Sequence, residues 1–258
     1  MTERISLGST QFDRVTLNQA VSAIVACARE MRSPMPFVVT PNLDHLQRLD
    51  NNPNLARAYS EAKFSFADGM PVIWLSRLAG TPLPERVSGA DLMPALCRVA
   101  GEQKLRVYLL GGGKGVARQA AEKIARDNPG IRCDYRYPPF GFESDEVENG
   151  RIVESINRFQ PHFLFVGVGS PKQENWIIEH RGQLKAGISL GIGTTIEFMA
   201  GNLKRAPIWM QHCGLEWFYR LMLEPRRLAK RYAGNFVFLI RLAIRILRNR
   251  WFGQSTIV

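Results

Sequence analysis

The sequence has no uninterrupted apolar run of the ~18–20 residues that a membrane-spanning helix needs, although 45% of its 258 residues are hydrophobic. No ordinary transmembrane helix is expected, and the apolar residues are left to build a globular core. The opening stretch MTERISLGST lacks the charged-then-apolar pattern of a secretion signal. The four cysteines (Cys27, Cys97, Cys133, Cys213) lie far apart and form no CxxC pair. That argues against a disulfide framework or a structural zinc and for a reducing cytoplasm. His45, His162, His180 and His212 show no ligand spacing, and no Asp-x-Asp triplet occurs. No metal and no other cofactor is expected. Internal repeats and low-complexity segments are absent.

Charge is plentiful but uneven. The net charge is +11, and residues 202–258 hold eleven Lys and Arg against two Glu, a net +9. The first 201 residues are nearly neutral. Such asymmetry calls for an anionic partner: a membrane surface, nucleic acid or a pyrophosphate. Pro207 and Pro225 punctuate two helical stretches, 208–223 and 226–250. In the second, Arg241, Arg245 and Arg248 share one face, while Phe236, Leu239, Ile240, Ala243, Ile244 and Leu247 cover much of the rest. Trp251 and Phe252 follow. A basic amphipathic helix of this kind lies in the headgroup plane of an anionic bilayer. The plainer alternative is a terminal helix packed on the core with a solvated basic face. Trp209, Trp217, Phe218, Tyr219 and Trp251 favour the interface. A nucleic-acid binder is a rival, but no known binding module is visible, and no nucleic acid is expected as a partner.

The strands read as short, near-continuous apolar runs at 36–40, 64–68, 106–110, 162–169 and 187–193. Such runs are typical of central strands covered on both faces. Helices are predicted at 16–31, with Thr16 as N-cap, and at 52–63, 70–79, 89–100, 115–127, 146–159 and 172–184. The alternation predicts an α/β fold with a mainly parallel sheet, which binds ligands at the carboxyl ends of its strands. A boundary near Gly201-Asn202 divides an α/β domain, 1–201, from a basic helical appendage, 202–258.

Several motifs fall at those strand ends. FADGMPVIW (66–74) sets a lone acid, Asp68, between an apolar strand and a helix. Locally it reads as a cap or turn former before it reads as a base. LLGGGKGVA (109–117) places Gly111, Gly112 and Gly113 between a strand and a helix, where backbone N–H groups suit a phosphate. It is neither a P-loop nor a complete dinucleotide fingerprint, since Val116 replaces the third glycine. Asp134, about 20 residues on, keeps a NAD-dependent oxidoreductase as an alternative. GVGSPKQENW (167–176) brings Lys172, suited to phosphate, and Gln173, suited to sugar hydroxyls, to a helix start with a Ser-Pro cap. GIGTTIEFMAG (191–201) repeats the form. TPNLDHL (40–46) offers Thr40 and Asn42, while Asp44-His45 reads as a turn cap and a satisfied histidine. Arg86, in the Pro-flanked loop LPERVSGADLM, suits a phosphate or a surface ion pair. YPPFGFES (137–144) is a loop near the pocket or a plain connection. Three strand ends thus offer glycines and donors, as a nucleotide-sugar pocket would.

In this order the blocks TPNLDHL, ADGMPVIW, ERVSGADL, LLGGGKGVA, VGVGSPKQE, GIGTTIEFMAG and KRAPIWMQHCGLEWFYRLMLEPRRLAKRY closely resemble the WecG/TagA/CpsF family of bacterial glycosyltransferases, over about residues 5–232. The resemblance implies a Rossmann-like fold. It also implies metal-independent, inverting transfer of a sugar from a UDP-sugar to a polyprenyl-diphosphate-linked sugar at the cytoplasmic membrane face. N-acetylmannosamine, its uronic acid and glucose are all used in the family. By position Asp68 matches the proposed base, and Thr40, Asn42, Arg86 and Gln173 match pocket residues. The appendage is implied to dock on the membrane and close the site, with Arg220, Arg227 and Lys230 on positions for the diphosphates. Lys230 stands where arginine is expected, beside Arg231. The implied partners are the UDP-sugar, the lipid-diphosphate acceptor and an anionic membrane surface. Oligomeric state is left open, a homo-oligomer included.

Overall fold

A computed structural model describes residues 3–251, apart from the side chains of His212 and Arg227; Phe252 lies outside the described residues. The chain begins with a hairpin, β1 (Arg4–Leu7) and β2 (Thr10–Asp13). The apolar runs do not predict it; the alternation of Ile5, Leu7, Thr10 and Phe12 across a Gly-Ser turn is the signal that does. Asp13 pairs with Arg4 at 2.9 Å and accepts the Ser65 amide at 2.8 Å, which clips the hairpin to the sheet.

Six strands form one wholly parallel sheet: β3 (Phe37–Val39), β4 (Phe64–Ser65), β5 (Arg106–Gly111), β6 (Arg132–Arg136), β7 (Phe163–Gly167) and β8 (Ile188–Gly191). Their spatial order is β4-β3-β8-β7-β5-β6. All five apolar runs supply strands. The sixth, β6, is a polar edge strand, RCDYR, and its lack of apolar residues hides it from a hydrophobicity reading.

Helices cover both faces. They are α1 (Leu17–Ala28), α2 (Leu43–Leu49), α3 (Pro53–Ser60), α4 (Met70–Leu78), α5 (Gly89–Glu102), α6 (Val116–Asp127), α7 (Glu146–Phe159), α8 (Lys172–His180) and α9 (Thr195–Ala200). Thr16 caps α1 with Gln19 in a reciprocal capping box, and Ser88 caps α5. At α8 the cap position is Pro171, not Ser170. Strand side chains alternate between two cores. Phe37, Val39, Tyr108 and Leu110 face the layer of α2, α3, α4, α7 and α8. Val38, Leu109, Phe163 and Leu190 face that of α1, α5, α6 and α9.

Three more helices follow: α10 (Ile208–His212), α11 (Glu216–Leu223) and α12 (Pro225–Trp251). The predicted stretch 208–223 is broken at Gly214, whose φ of +75° suits glycine. A Cβ there would lie 2.8 Å from that of Met70, so the α10–α11 turn rests on the first turn of α4. α12 packs against α2 and α4 and buries Leu242 and Ile246 in the first core. Its other apolar stripe, Phe236, Ile240, Ile244, Leu247 and Trp251, stays exposed. The helix thus has two apolar faces, where the sequence shows one broad one. No described helix is long and apolar enough to cross a membrane.

Gly111 closes β5 at φ +122°, and a Cβ there would lie 2.4 Å from the Gly167 oxygen. Both contacts are backbone, so neither yields cheaply. Gly111→Ala is expected to cost more than about 2 kcal/mol, read as a drop in the urea midpoint at unchanged m-value.

Candidate active site

The carboxyl ends of parallel strands share one edge of the sheet, so the motifs gather there. Asp68 stands just past β4. Its amide donates to the Pro41 oxygen at 3.0 Å, which ties it to the end of β3. Gly69, at φ +101°, occupies the cap position of α4. The local reading of Asp68 as a cap is therefore set aside: its carboxylate is not spent on the helix. No hydrogen bond or ion pair engages that carboxylate among the described residues. Burial pushes its pKa up to about 6, against the opposing pull of Arg86 and Arg220 and with help from Glu216 and Asp91.

Three of those neighbours, Arg86, Asp91 and Glu216, close an ionic ring with Arg205. Arg86 reaches Asp91 at 3.1 Å and Glu216 at 2.9 Å. Arg205 reaches Asp91 at 2.7 Å and Glu216 at 3.6 Å. Arg220 adds a third guanidinium, 3.0 Å from Glu216. Arg86 and Arg220 were legible in the sequence; Asp91, Arg205 and Glu216 were not. Two of the pairs, Arg205 with Asp91 and Arg86 with Glu216, join residues 114 and 130 positions apart, and only the charge of KRAP and the lone acid in GLEWF marked them. Arg86 is no free phosphate ligand, since both acids already hold it.

Thr40 is half-buried at the end of β3. Asn42 caps α2 by accepting the His45 amide at 3.1 Å, so its oxygen is committed to the helix. Asp44 is not the cap. It pairs with Arg48 at 2.8 Å and with Arg231 of α12 at 3.1 Å. His45 Nδ1 meets the Tyr59 hydroxyl at 2.9 Å. Burial lowers its pKa to about 4, with Asp44 opposing and Arg48 and Arg231 adding. The ring stays neutral, as a satisfied histidine does.

At the opposite end of the same edge lies a cleft of about 310 Å³, floored by Gly111, Gly112, Gly167 and Gly193. The loop 137–143 walls it, which settles YPPFGFES as a pocket loop. Lys172 stands at its rim, paired with Glu143 and 5.2 Å above the Phe140 ring. Gly112 N–H donates to Gly167 and Gly113 N–H to Glu197 at 3.1 Å. The glycine turn is therefore a bare floor with two of its amides spent, not the open phosphate cradle its sequence predicts. Gln173 is buried: its amide bridges Glu174 at 2.9 Å and the Gly193 N–H at 3.0 Å, supporting the floor from below. Four strand spacings separate β5 from β4, or ~19 Å, so Gly111 and Asp68 stand well apart along the same edge.

A family model for the glycosyl transferase WecG/TagA/CpsF family matches residues 5–252. The chain belongs to this family. Among curated relatives it is similar to the N-acetylglucosaminyldiphosphoundecaprenol N-acetyl-beta-D-mannosaminyltransferases of Staphylococcus aureus strains NCTC 8325 / PS 47, COL and MRSA252. Each is 28% identical over 242 residues, covering 94% of this chain and 93% of the relative. The dinucleotide alternative also loses its acid. Asp134 pairs with Tyr108, three residues short of Gly111, and so sits ~10 Å below the cleft.

In this glycosyltransferase a second cavity, of about 270 Å³, lies between the α9 end and α11–α12. Lys204, Arg205, Arg220 and Arg231 line it. Of the three basic residues placed on the appendage from sequence, Arg220 enters this cavity. Lys230 is exposed and its neighbour Arg231 takes the wall, while the Arg227 side chain lies outside the described residues. No cluster of three His, Cys, Asp or Glu arranged for a metal occurs among the described residues.

A raised carboxyl is a cost to the fold. Asp68 contributes stability when protonated, and that contribution is lost as pH rises through about 6. Asp68→Asn is expected to melt higher than the parent at pH 8, by about 2 °C or more, and level with it at pH 4. A carboxylate with a structural role would give the opposite sign at pH 8.

Proposed function

We propose that this enzyme transfers N-acetylmannosamine from its UDP-sugar to a lipid-diphosphate-linked N-acetylglucosamine, by single displacement with Asp68 as base. The observation that carries the reading is Asp68 itself: a carboxylate left unpaired at a strand end, beside two arginines, in a chain of this family. A base must hold a proton acceptor free of competing bonds, with a pKa near the working pH. Asp68 has both. It removes the acceptor hydroxyl proton; the oxygen attacks the anomeric carbon; UDP departs from the opposite face, inverting the centre. The donor and acceptor sugars are those in the relatives' names.

In this reading the substrates divide along the sheet edge. The donor's nucleoside occupies the glycine-floored cleft, where Glu197 offers a carboxylate for ribose hydroxyls and Lys172 a cation at the rim. The diphosphate crosses the strand ends toward Asp68. Thr40 and the Asn42 NH2 face the sugars. Negative charge gathering on the leaving diphosphate is met by protein cations, Arg86 and Arg220 among them, and no metal is required. Arg231 and Arg220 receive the acceptor's diphosphate in the second cavity.

Residues 202–258 act as a docking and closing appendage. Ile208 and Trp209 of α10, Met222 and Leu223 of α11, and the outer stripe of α12 are exposed apolar side chains. Arg241, Arg245 and Arg248 flank it. Apolar insertion with flanking cations fits the anionic inner face of a cytoplasmic membrane.

With a short-chain lipid-diphosphate acceptor and product read by mass spectrometry, Asp68→Asn is expected to lose about 10²–10⁴-fold in kcat. The parent's kcat/KM should fall below pH about 6 and be unaffected by EDTA. Wild-type turnover in Asp68→Asn would remove the base. Trp209→Glu with Ile244→Glu should abolish sedimentation with vesicles containing anionic lipid and leave the melting temperature within about 2 °C. Retained binding would remove the docking face.

A further inference from the structure

The base sits beside an ionic ring whose members come from four separate stretches of chain. Arg86 belongs to the loop before α5, Asp91 to the first turn of α5, Arg205 to the segment after α9, and Glu216 to the first turn of α11. We propose that Glu216 is a positioning residue for the reaction: it holds Arg86 and Arg220 in place beside Asp68, so that the base is fully assembled only when α11 is seated. The proposal rests on Asp68 being the base.

The geometry supports a role beyond stapling. Glu216 uses both oxygens: Oε2 accepts from Arg86 at 2.9 Å and Oε1 from Arg220 at 3.0 Å, with Arg205 Nε 3.6 Å from Oε1. Asp91 completes the circuit through Arg86 and Arg205, and is itself fixed by Ser88 Oγ at 2.6 Å. The side chains of Arg86, Asp91 and Glu216 are 15%, 17% and 16% exposed, so solvent screens these contacts poorly. Arg205 Nε and Nη2 lack hydrogen-bond partners, which leaves the ring short of acceptors, not of donors. Three guanidiniums against two carboxylates leave one net positive charge. Removing Glu216 doubles it, takes away one of Arg86's two anchors and strips Arg220 of its carboxylate partner, leaving it over the face of Phe198 at 5.5 Å.

That change must reach Asp68. The groups facing Asp68 are Arg86 from the loop, Asp91 from α5, Arg220 and Glu216 from α11, and Tyr59 from α3. Glu216 and Asp91 favour the protonated carboxyl and the arginines oppose it. Neutralising Glu216 therefore lowers the Asp68 pKa, weakening the base while leaving it ionised at neutral pH. A staple alone would not move that titration.

The test uses the full chain on anionic vesicles, with UDP-N-acetylmannosamine and an N-acetylglucosaminyl diphospholipid, and follows kcat and KM against pH. Glu216→Gln is expected to lose about 10–100-fold in kcat, with donor KM within about threefold. Its acid limb should move down by about half a pH unit or more. Glu216→Asp keeps the charge but withdraws the carboxylate by one methylene. It should hold the acid limb in place while kcat still falls, and it serves if the Gln variant does not fold. Wild-type kcat in either variant would overturn the proposal, as would a loss in Glu216→Gln confined to KM with the limb unmoved. Asp68→Asn run in parallel separates the two claims. If that variant is inactive while Glu216→Gln keeps the parental limb and rate, the positioning role alone falls. If Asp68→Asn is fully active, the base assignment falls first.

Discussion

Two carboxylates, Asp91 and Glu216, hold three arginines at one edge of the parallel sheet, and the placement of the C-terminal helices turns on that exchange of charge. Arg205 and Glu216 lie after the last strand, while Arg86 and Asp91 lie on the α/β body. The ring is therefore the electrostatic seam between them. A second seam, Asp44 with Arg231, lies between α2 and α12, and Leu242 and Ile246 add apolar burial farther along. Charge fixes the near end of the appendage and hydrophobic packing the far end. Buried ion pairs repay their desolvation only when every member is matched, which makes the near seam the more selective of the two.

The seam also explains why Asp68 can be left unpaired. An acid set among arginines normally forms an ion pair and loses its basicity. Here the arginines are already claimed by Asp91 and Glu216, so Asp68 feels their field without bonding to them. Burial then dominates and raises its pKa. On the mechanism proposed above, arginines that spread over two other acids remain available as electrostatic support for a leaving diphosphate, yet do not quench the base.

Much of the fold was legible because parallel strands covered on both faces must be apolar throughout. All five such runs became strands, and Thr16 marked the start of α1 by its capping chemistry. β6 escaped because an edge strand need not be apolar, and α2 because seven residues give too little periodicity to see. At the site, single residues at strand ends were readable and their partners were not. Arg86 looked like a phosphate ligand because its sequence neighbours leave it unpaired; the acid that pairs it most closely comes 130 residues later. The glycine turn looked like a phosphate cradle because sequence does not reveal that Gly167 and Glu197 take two of its amides. Gln173 looked like a sugar ligand for the same reason: a polar side chain at a strand end can face the ligand or brace the floor beneath it.

The two apolar faces of α12 have a geometric consequence. One face is glued to the catalytic body through Leu242 and Ile246, and the other carries Phe236, Ile240, Ile244 and Trp251 outward. A helix fastened in this way cannot roll. On the docking proposed above, the bilayer plane is fixed relative to the sheet, and so is the height of Asp68 above the headgroups. With that docking and with Asp68 as the proposed base, the enzyme acts as a depth gauge: a sugar one diphosphate away from the membrane meets the base, and a longer saccharide on the same lipid overshoots it. Selection for the first sugar of a growing chain then follows from the rigid attachment of one helix, without any contact that reads chain length.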